Sequence, residues 1–331
     1  MIISKTPYRV SFFGGGTDYP AWYLKEGGAV LSTTIDKYCY ITCRFLPPFF
    51  ATKYRIVWSY IENVSSVCEI LHPAVREGIK HLGLDNGIGL EVQHNGDLPA
   101  RAGMGSSSSF VVGLTKALSG MKNQRLTRHE LALKAIELEQ DVPKENVGSQ
   151  DQVAAAYGGF NHIRFYPNGD IRVEPIAISN TTVAKLESRL MLFYTGTSRL
   201  SSEIAGKVIA NIPHKKEVLT KMATLVDQAV SILEADDDID EFGRLLHENW
   251  QLKRSLSSCV SNCNVENVYA TAIHRGALGG KLLGAGSSGF ILFYVPPDKK
   301  PAVQEALSPI LHVPFRFEKD GCEIIYSNDK E

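Results

Sequence analysis

The sequence predicts an α+β protein built as two domains, and three observations carry that prediction. The chain has 331 residues, long for one hydrophobic core, so two domains of roughly 150 residues are expected. Its first third alternates turn residues with β-rich runs, whereas the residues beyond about 200 carry long helical periods. The change of character falls near 180–190. It divides a β-rich α/β unit, residues 1–185, from a helix-rich α+β unit, residues 186–331.

In the first unit "YRVSFF", "AVLSTTI", "YCYITCRFL", "YRIVW" and "IGLEVQHN" are the expected strands. Helical spacing covers 67–82 and returns more strongly from Ser106 to Met121. There Phe110, Leu114, Ala117, Leu118 and Met121 recur at i, i+4, i+7, i+8 and i+11. Thr127 with Glu130 forms a capping box that opens a helix over roughly 128–141. "GGFNHIRFY" and "DIRVEPI" flank "PNGD", a hairpin signal. After "RLMLFYTG" come amphipathic helices at about 200–211, 214–235, 239–256 and 265–279. The strand "GFILFYV", a short helix and two further strands close the chain. No repeat or low-complexity linker interrupts either unit.

Composition narrows the function classes. The chain is 44% hydrophobic and 21% charged with a formal net charge of −1, as in an ordinary globular protein. Without a basic stretch, neither a nucleic acid nor a membrane surface is an expected partner. No apolar run approaches the roughly 18 residues of a membrane helix. The opening "MIISKTPYRV" lacks the apolar core of a signal peptide, so a cytoplasmic location is expected. Six cysteines, at 39, 43, 68, 259, 263 and 322, lack the close His or Cys partners of a zinc site and read as reduced thiols.

Glycines cluster at 14–16, 103–109 and 284–289. The first cluster is followed by Asp18, a negative charge where a phosphate would want a helix amino terminus. The last, "GAGSSG", spells G-x-G-x-x-G. It is expected to follow a helix and precede a strand, the reverse of a dinucleotide loop. "GALGGKL" misses the Walker spacing. The middle stretch, "GDLPARAGMGSSSS", leads from a strand into the strongest helix. There glycines admit a bulky anion, and the helix amino terminus offers unpaired N–H groups. Serine hydroxyls there can bind phosphate oxygens or Mg²⁺. Alone, the stretch also reads as a serine N-cap after a turn. On the next helix Glu139 sits at the edge of the apolar stripe, as a metal ligand or a border salt bridge. Asp151, in "GSQDQVAAAYGGF", has small neighbours that allow close approach, or simply starts a helix.

Four segments occur in order: "PYRVSFFGGGTDYP", "LPARAGMGSSSSFVVGL", "GSQDQVAAAYGG" and "KLLGAGSSGFILFYV". Together they resemble the motifs of the GHMP kinase superfamily across essentially the whole chain. Within it, the first and third segments, with "YTGTSRLSS" and "HENWQLKRSLS", are most similar to bacterial D-glycero-D-manno-heptose 7-phosphate kinases. Galactokinases would carry Glu-His at Gly15-Gly16. Arg101 and Ala102 replace the Gly-Ser pair usual in the second motif, and Phe110 follows the serines.

The resemblance implies a β-rich α/β amino-terminal domain and a ferredoxin-like, helix-rich carboxy-terminal domain, with ATP and Mg²⁺ as cofactors. It implies that Gly103, Met104, Gly105, Ser106, Ser107 and Ser108 bind ATP, and that Ser107 and Glu139 hold Mg²⁺. Asp151 would face the acceptor hydroxyl with Arg9 beside it. Gly14, Gly15, Gly16, Thr17 and Asp18 would receive the sugar, Asp18 by accepting from its hydroxyls. The glycines of "GAGSSG" would shape the wall of the site. The implied reaction is ATP-dependent phosphorylation of the anomeric hydroxyl of heptose 7-phosphate to the 1,7-bisphosphate, on the route to nucleotide-activated heptose. A fucokinase-like or other free-sugar kinase, and a non-catalytic sugar and ATP sensor, are the alternatives. The acceptor's own phosphate calls for a cation, with Arg199, Lys207, Lys253 and Arg254 as candidates. Adenine contacts are sought within 52–66, Trp58 included, a stretch that reads equally as an exposed hairpin. Expected partners are therefore a small sugar phosphate and ATP, and a homodimer is left open.

Overall fold

The structure, a computed structural model, describes residues 1–140, 146–196, 201–235 and 238–328. Its first half runs β1 (Ile2–Phe13), α1 (Pro20–Glu26), β2 (Gly28–Leu46), β3 (Tyr54–Val57) and β4 (Ile61–Val64). It continues through α2 (Pro73–His81), β5 (Gly89–Gly96), α3 (Ser106–Met121), α4 (Arg128–Gln140), α5 (Gln150–Tyr157), β6 (Phe160–Phe165) and β7 (Ile171–Pro175). The second half holds α6 (Asn180–Arg189), β8 (Leu190–Tyr194), α7 (Ser201–Asn211), α8 (Lys216–Ala235), α9 (Asp240–Ser255) and α10 (Cys263–His274). Then come β9 (Gly279–Leu282), β10 (Phe290–Tyr294), α11 (Lys300–Ala306), β11 (Leu311–His312), β12 (Phe317–Glu318) and β13 (Glu323–Ser327).

The larger sheet is organised by β2. "AVLSTTI" and "YCYITCRFL", expected as two strands, are one strand of 19 residues. Its length lets it pair with β1 along one edge and, along the other, with β6 near its start and β5 near its end. β3 joins β5 in parallel and β4 closes that edge, while β6 carries the expected hairpin partner β7. Helix α3 begins and ends where its periodicity predicts, yet it is buried nearly all round rather than along one stripe. Small residues explain the difference. A Cβ on Gly113 would fall 2.7 Å from Thr6 Oγ1, and Ser4 Oγ donates to the Gly113 carbonyl at 2.8 Å. The helix therefore lies directly against β1. The capping box before α4 forms as expected: Thr127 N donates to Glu130 at 2.8 Å, and Glu130 N to Thr127 Oγ1 at 3.2 Å.

The smaller sheet is antiparallel in the order β11-β8-β10-β9. Counted along the chain this is 4-1-3-2, the ferredoxin-like order that was expected. Four helices, α7 to α10, fill the β8–β9 connection. The helix expected over 265–279 stops at His274, because Gly276 turns at φ +106 and a strand starts at Gly279. A Cβ on Gly279 would meet the Gly243 carbonyl oxygen at 2.0 Å, so β9 lies hard against α9. "GAGSSG" consequently links two strands, β9 and β10, and does not follow a helix. Over 67–82 the helical spacing splits into a 3-10 turn, Val67–Glu69, and α2, which starts at Pro73. Two strands within the range expected for the second domain return to the larger sheet: β12 pairs with β2 and β13 with β1. Among the described residues no helix is long and apolar enough to cross a membrane.

Candidate active site

A cavity of about 660 Å³ is lined by residues of both halves, a volume suited to a small-molecule site. Strand β1 brings Arg9 to it. The guanidinium donates through Nε to Asp151 Oδ1 and through Nη2 to Asp151 Oδ2, both at 2.6 Å, and through Nη1 to the Gly103 carbonyl at 2.9 Å. Such a planar fork-to-fork pair is among the stronger polar contacts in proteins and fixes orientation as well as charge. Asp151 sits in the first turn of α5, where Ala154, Ala155 and Ala156 let the helix pack close. Its side chain keeps 22% exposure, against 4% for Arg9, so the carboxylate is the member of the pair open to a ligand.

The serine-rich loop opens α3 as the sequence predicts. Gly105 takes the N-cap position at φ +73 and no side chain caps the helix, so its first amides are unclaimed. The dipole's positive end adds to their pull on an anion. Gly103, Gly105, Ser106, Ser107 and Ser108 all line the cavity. Met104 does not. It is fully buried and contributes its carbonyl, which accepts from Arg9 N at 3.3 Å. Gly103 is required by contact: a Cβ there would fall 2.4 Å from the Leu283 carbonyl oxygen, where the "GAGSSG" hairpin crosses the loop.

Glu139 is more deeply placed than the edge of a stripe suggests. It is 2% exposed, and no basic side chain pairs with it among the described residues, which removes the salt-bridge reading. Ser108 Oγ and Gln152 Nε2 each donate to Oε2 at 2.7 Å, while Oε1 is buried without a partner. Burial pushes the carboxyl up to about 7, opposed by the hydroxyls of Ser107 and Ser108 and by Gln152. The Ser108 hydroxyl is thus committed to Glu139 and not to a phosphate. An unsatisfied buried carboxylate oxygen beside the Ser107 hydroxyl fits a hard divalent cation that also takes phosphate oxygens.

Only part of the first glycine cluster faces the cavity. Gly15, Gly16 and Asp18 line the cavity. Gly14 and Thr17 instead hold the turn together: a Cβ on Gly14 would strike the Ala29 carbonyl oxygen at 1.9 Å, and Thr17 Oγ1 lies 2.8 Å from the Gly14 carbonyl. Asp18 Oδ1 accepts from Gly16 N at 2.9 Å, and Oδ2 from Gln150 N at 3.4 Å. Burial, and more weakly Asp151, raise its carboxyl above the usual range, with the Gly16 amide opposing. Asp18 therefore braces the turn against the start of α5 as well as facing the cavity.

One part of the cavity is aromatic. Trp58 and Tyr60 of the β3–β4 hairpin line it with His72, His94 and Phe110. The hairpin is at once exposed, with Tyr60 66% accessible, and a wall of the cavity. His72 stacks on Phe110 at 4.7 Å, and Trp58 meets His72 edge-on at 4.8 Å. Burial pushes His72 down to about 4, so the ring is neutral near pH 7. His72 and His94 carry no local motif, and reading the chain did not find them.

The cations sort cleanly. Lys253 lines the cavity, and so does Lys281, which lies in the glycine-rich "GALGGKL" and was missed. Lys207 is exposed on α7 and does not line the cavity. Arg254 faces away and pairs with Glu266. Arg199 lies outside the described residues.

A glycine loop feeding a helix, a buried carboxylate and an Arg–Asp fork around one cavity are the parts of a small-molecule phosphotransferase. The chain belongs to the GHMP kinases, enzymes that take their phosphoryl group from ATP. The family's N-terminal domain model matches residues 68–159 and its C-terminal model residues 228–310. The chain is 31% identical over 345 residues to the D-glycero-alpha-D-manno-heptose 7-phosphate kinase of Campylobacter jejuni, covering 97% of this chain and 98% of the relative. It is 27% identical over 352 residues to a galactokinase of Pyrococcus furiosus, covering 92% of each. Among solved structures, a D-glycero-D-manno-heptose 1-phosphate kinase from Bacteroides thetaiotaomicron superposes with a TM-score of 0.80 at 27% identity. That match spans 99% of this chain and 100% of the other.

Proposed function

We propose that the protein transfers the γ-phosphoryl group of ATP to the anomeric hydroxyl of D-glycero-D-manno-heptose 7-phosphate. The product is the 1,7-bisphosphate, made in the cytoplasm on the way to nucleotide-activated heptose. The observation that carries this reading is the Arg9–Asp151 fork, tied through Gly103 to the open amino terminus of α3. The two heptose phosphate kinases among the relatives support the sugar.

Phosphoryl transfer needs mostly positioning and charge stabilisation. The amides and hydroxyls of 105–107 hold the ATP phosphates. Asp151 receives the proton of the acceptor hydroxyl as that oxygen bonds to phosphorus and the bond to the ADP oxygen breaks. Arg9 keeps Asp151 oriented and offsets the charge that develops on the equatorial oxygens. Ser107 and Glu139 are the residues assigned to Mg²⁺, which when bound neutralises charge on the β- and γ-phosphates. Gly15, Gly16 and Asp18 receive the sugar. The aromatic end, from Trp58 to Phe110, receives the adenine.

The test is a coupled ADP-release assay across heptose phosphates, other sugar phosphates, free sugars and homoserine. Turnover with heptose 7-phosphate above the rest is expected. No turnover with it, alongside clear turnover of a free sugar, would overturn the substrate. No turnover with any acceptor but tight ATP binding would favour a sensor.

A further inference from the structure

Two buried lysines from the second half of the chain reach the sugar side of the cavity without a carboxylate to meet them. Lys253 Nζ, from α9, donates to the Gly284 carbonyl at 2.6 Å. Gly284 packs on Gly103, where an ideal Cβ would stand 2.4 Å from the Gly103 Cα. Lys281 Nζ, from β9, donates to the Ser11 and Phe12 carbonyls at 2.6 and 2.9 Å, just before the 14–16 turn. The ammonium groups thus flank the wall between the sugar turn and the phosphate loop. They are 7% and 1% exposed as residues.

Neither lysine has an ion-pair partner among the described residues. The two nearby carboxylates are engaged elsewhere, Asp151 by Arg9 and Asp18 by the amides of Gly16 and Gln150. Buried charge is ordinarily paired. Two ammonium groups resting on carbonyl oxygens alone leave donors and positive charge for a ligand to take up. The phosphates of ATP have their own receptor in the α3 amides, and the other candidate cations either lie off this cavity or fall outside the described residues.

We propose that Lys253, with Lys281 behind it, receives the phosphate that the acceptor sugar already carries, and so selects a sugar phosphate over the free sugar. This rests on the reading that the acceptor is a sugar phosphate. Burial and the charge of Arg9 push the Lys253 ammonium down to about 8, and burial with the charge of Lys253 holds Lys281 well below the usual lysine range. A bound dianion works against that shift and holds both groups charged.

The experiment compares the full-length wild type with Lys253→Met, which keeps length and loses charge, and Lys253→Arg, which keeps charge. For each, kcat/KM is measured for heptose 7-phosphate, a panel of other sugar phosphates and their free sugars, together with KM for ATP. In Lys253→Met the preference for a sugar phosphate over its free sugar should fall about 30-fold, as expected for losing a charged hydrogen bond. Lys253→Arg should retain most of that preference. Equal losses on both acceptors, equal damage by Met and Arg, or a defect confined to ATP would overturn the proposal. If another sugar phosphate is the substrate and its preference collapses in Lys253→Met, the heptose assignment fails while this inference stands. Inorganic phosphate provides a probe free of any sugar: it should inhibit the wild type competitively against the acceptor. Inhibition of equal strength in Lys253→Met would also overturn the proposal.

Discussion

Arg9 and Asp151, 142 residues apart in the chain, meet through two hydrogen bonds of 2.6 Å. A third donor of the same guanidinium ends on the Gly103 carbonyl, so one side chain ties strand β1, helix α5 and the serine-rich loop together. Asp151→Asn leaves this frame nearly isosteric but removes the proton acceptor. We expect kcat to fall about 10²–10⁴-fold while ATP affinity, read by calorimetry, changes little. Wild-type turnover in the variant would rule out the assigned role.

Arg9→Lys keeps a positive charge and loses the fork. A lysine reaches one oxygen of Asp151 and leaves the Gly103 carbonyl unserved. Turnover should drop at least about tenfold with KM for ATP little changed. A variant defective only in KM would show that Arg9 serves ground-state binding instead.

Glu139→Gln tests the divalent cation. Its buried, unpartnered Oε1 has no competing cation among the described side chains. The half-saturating Mg²⁺ concentration should rise at least about tenfold, since one of very few protein ligands is lost. An unchanged Mg²⁺ titration would move the ion elsewhere. The melting temperature should hold, because the amide has no ionised form to desolvate.

Gly103→Ala adds one methyl where φ is +83 and the Leu283 carbonyl oxygen would stand 2.4 Å away. Gly169→Ala is the control, with φ +89 and nothing within 4 Å. Both carry the backbone cost of about 1–2 kcal/mol. The first must also part the two loops, so it should melt lower than the control and raise KM for ATP. Equal behaviour would mean that the loop contact is unimportant.

Burial and Arg9 push the Lys253 ammonium down to about 8, while Asp18 and Asp151 act in the opposite sense; Lys281 lines the same cavity. The folded pKa lies below the unfolded one, so the folded chain binds fewer protons between about 8 and 10.5. This group's contribution to stability therefore improves as pH rises through that window. Affinity for an anionic acceptor runs the other way. KM for the sugar phosphate should climb up to about tenfold per unit above pH 8. Lys253→Met should lack the part due to this group. Identical profiles for variant and wild type would refute the link.

Local signals were legible where one segment carries them whole. The bounds of α3, the capping box at Thr127 and Glu130 and the β6–β7 hairpin all follow from neighbouring residues. Part of the candidate site was legible through the motifs, which hold Arg9, Asp151 and the serines, while Glu139 came from the helix between them; the structure brings these residues to one cavity. Within those motifs, sequence could not separate residues that face the cavity from those that close a turn, so Gly14, Thr17 and Met104 were grouped with their inward-facing neighbours. Lys281 escaped because its partners are carbonyls of β1, 270 and 269 residues away, which leave no charge pattern to read. His72 and His94 escaped for a similar reason, since their shared neighbour Phe110 comes from a third segment. β12, only two residues long, is too short for any period.

The pairing of β13 with β1 sets the order in which the protein can be finished. Strand β1 is synthesised long before its outer partner, which lies more than three hundred residues further along the chain. Until β13 is made, one edge of the larger sheet stays open, with Ile2, Ile3, Ser4 and Lys5 waiting for Ser327, Tyr326, Ile324 and Glu323. A chain halted before residue 323 would retain Arg9, Asp151 and the serine-rich loop yet display a bare strand β1.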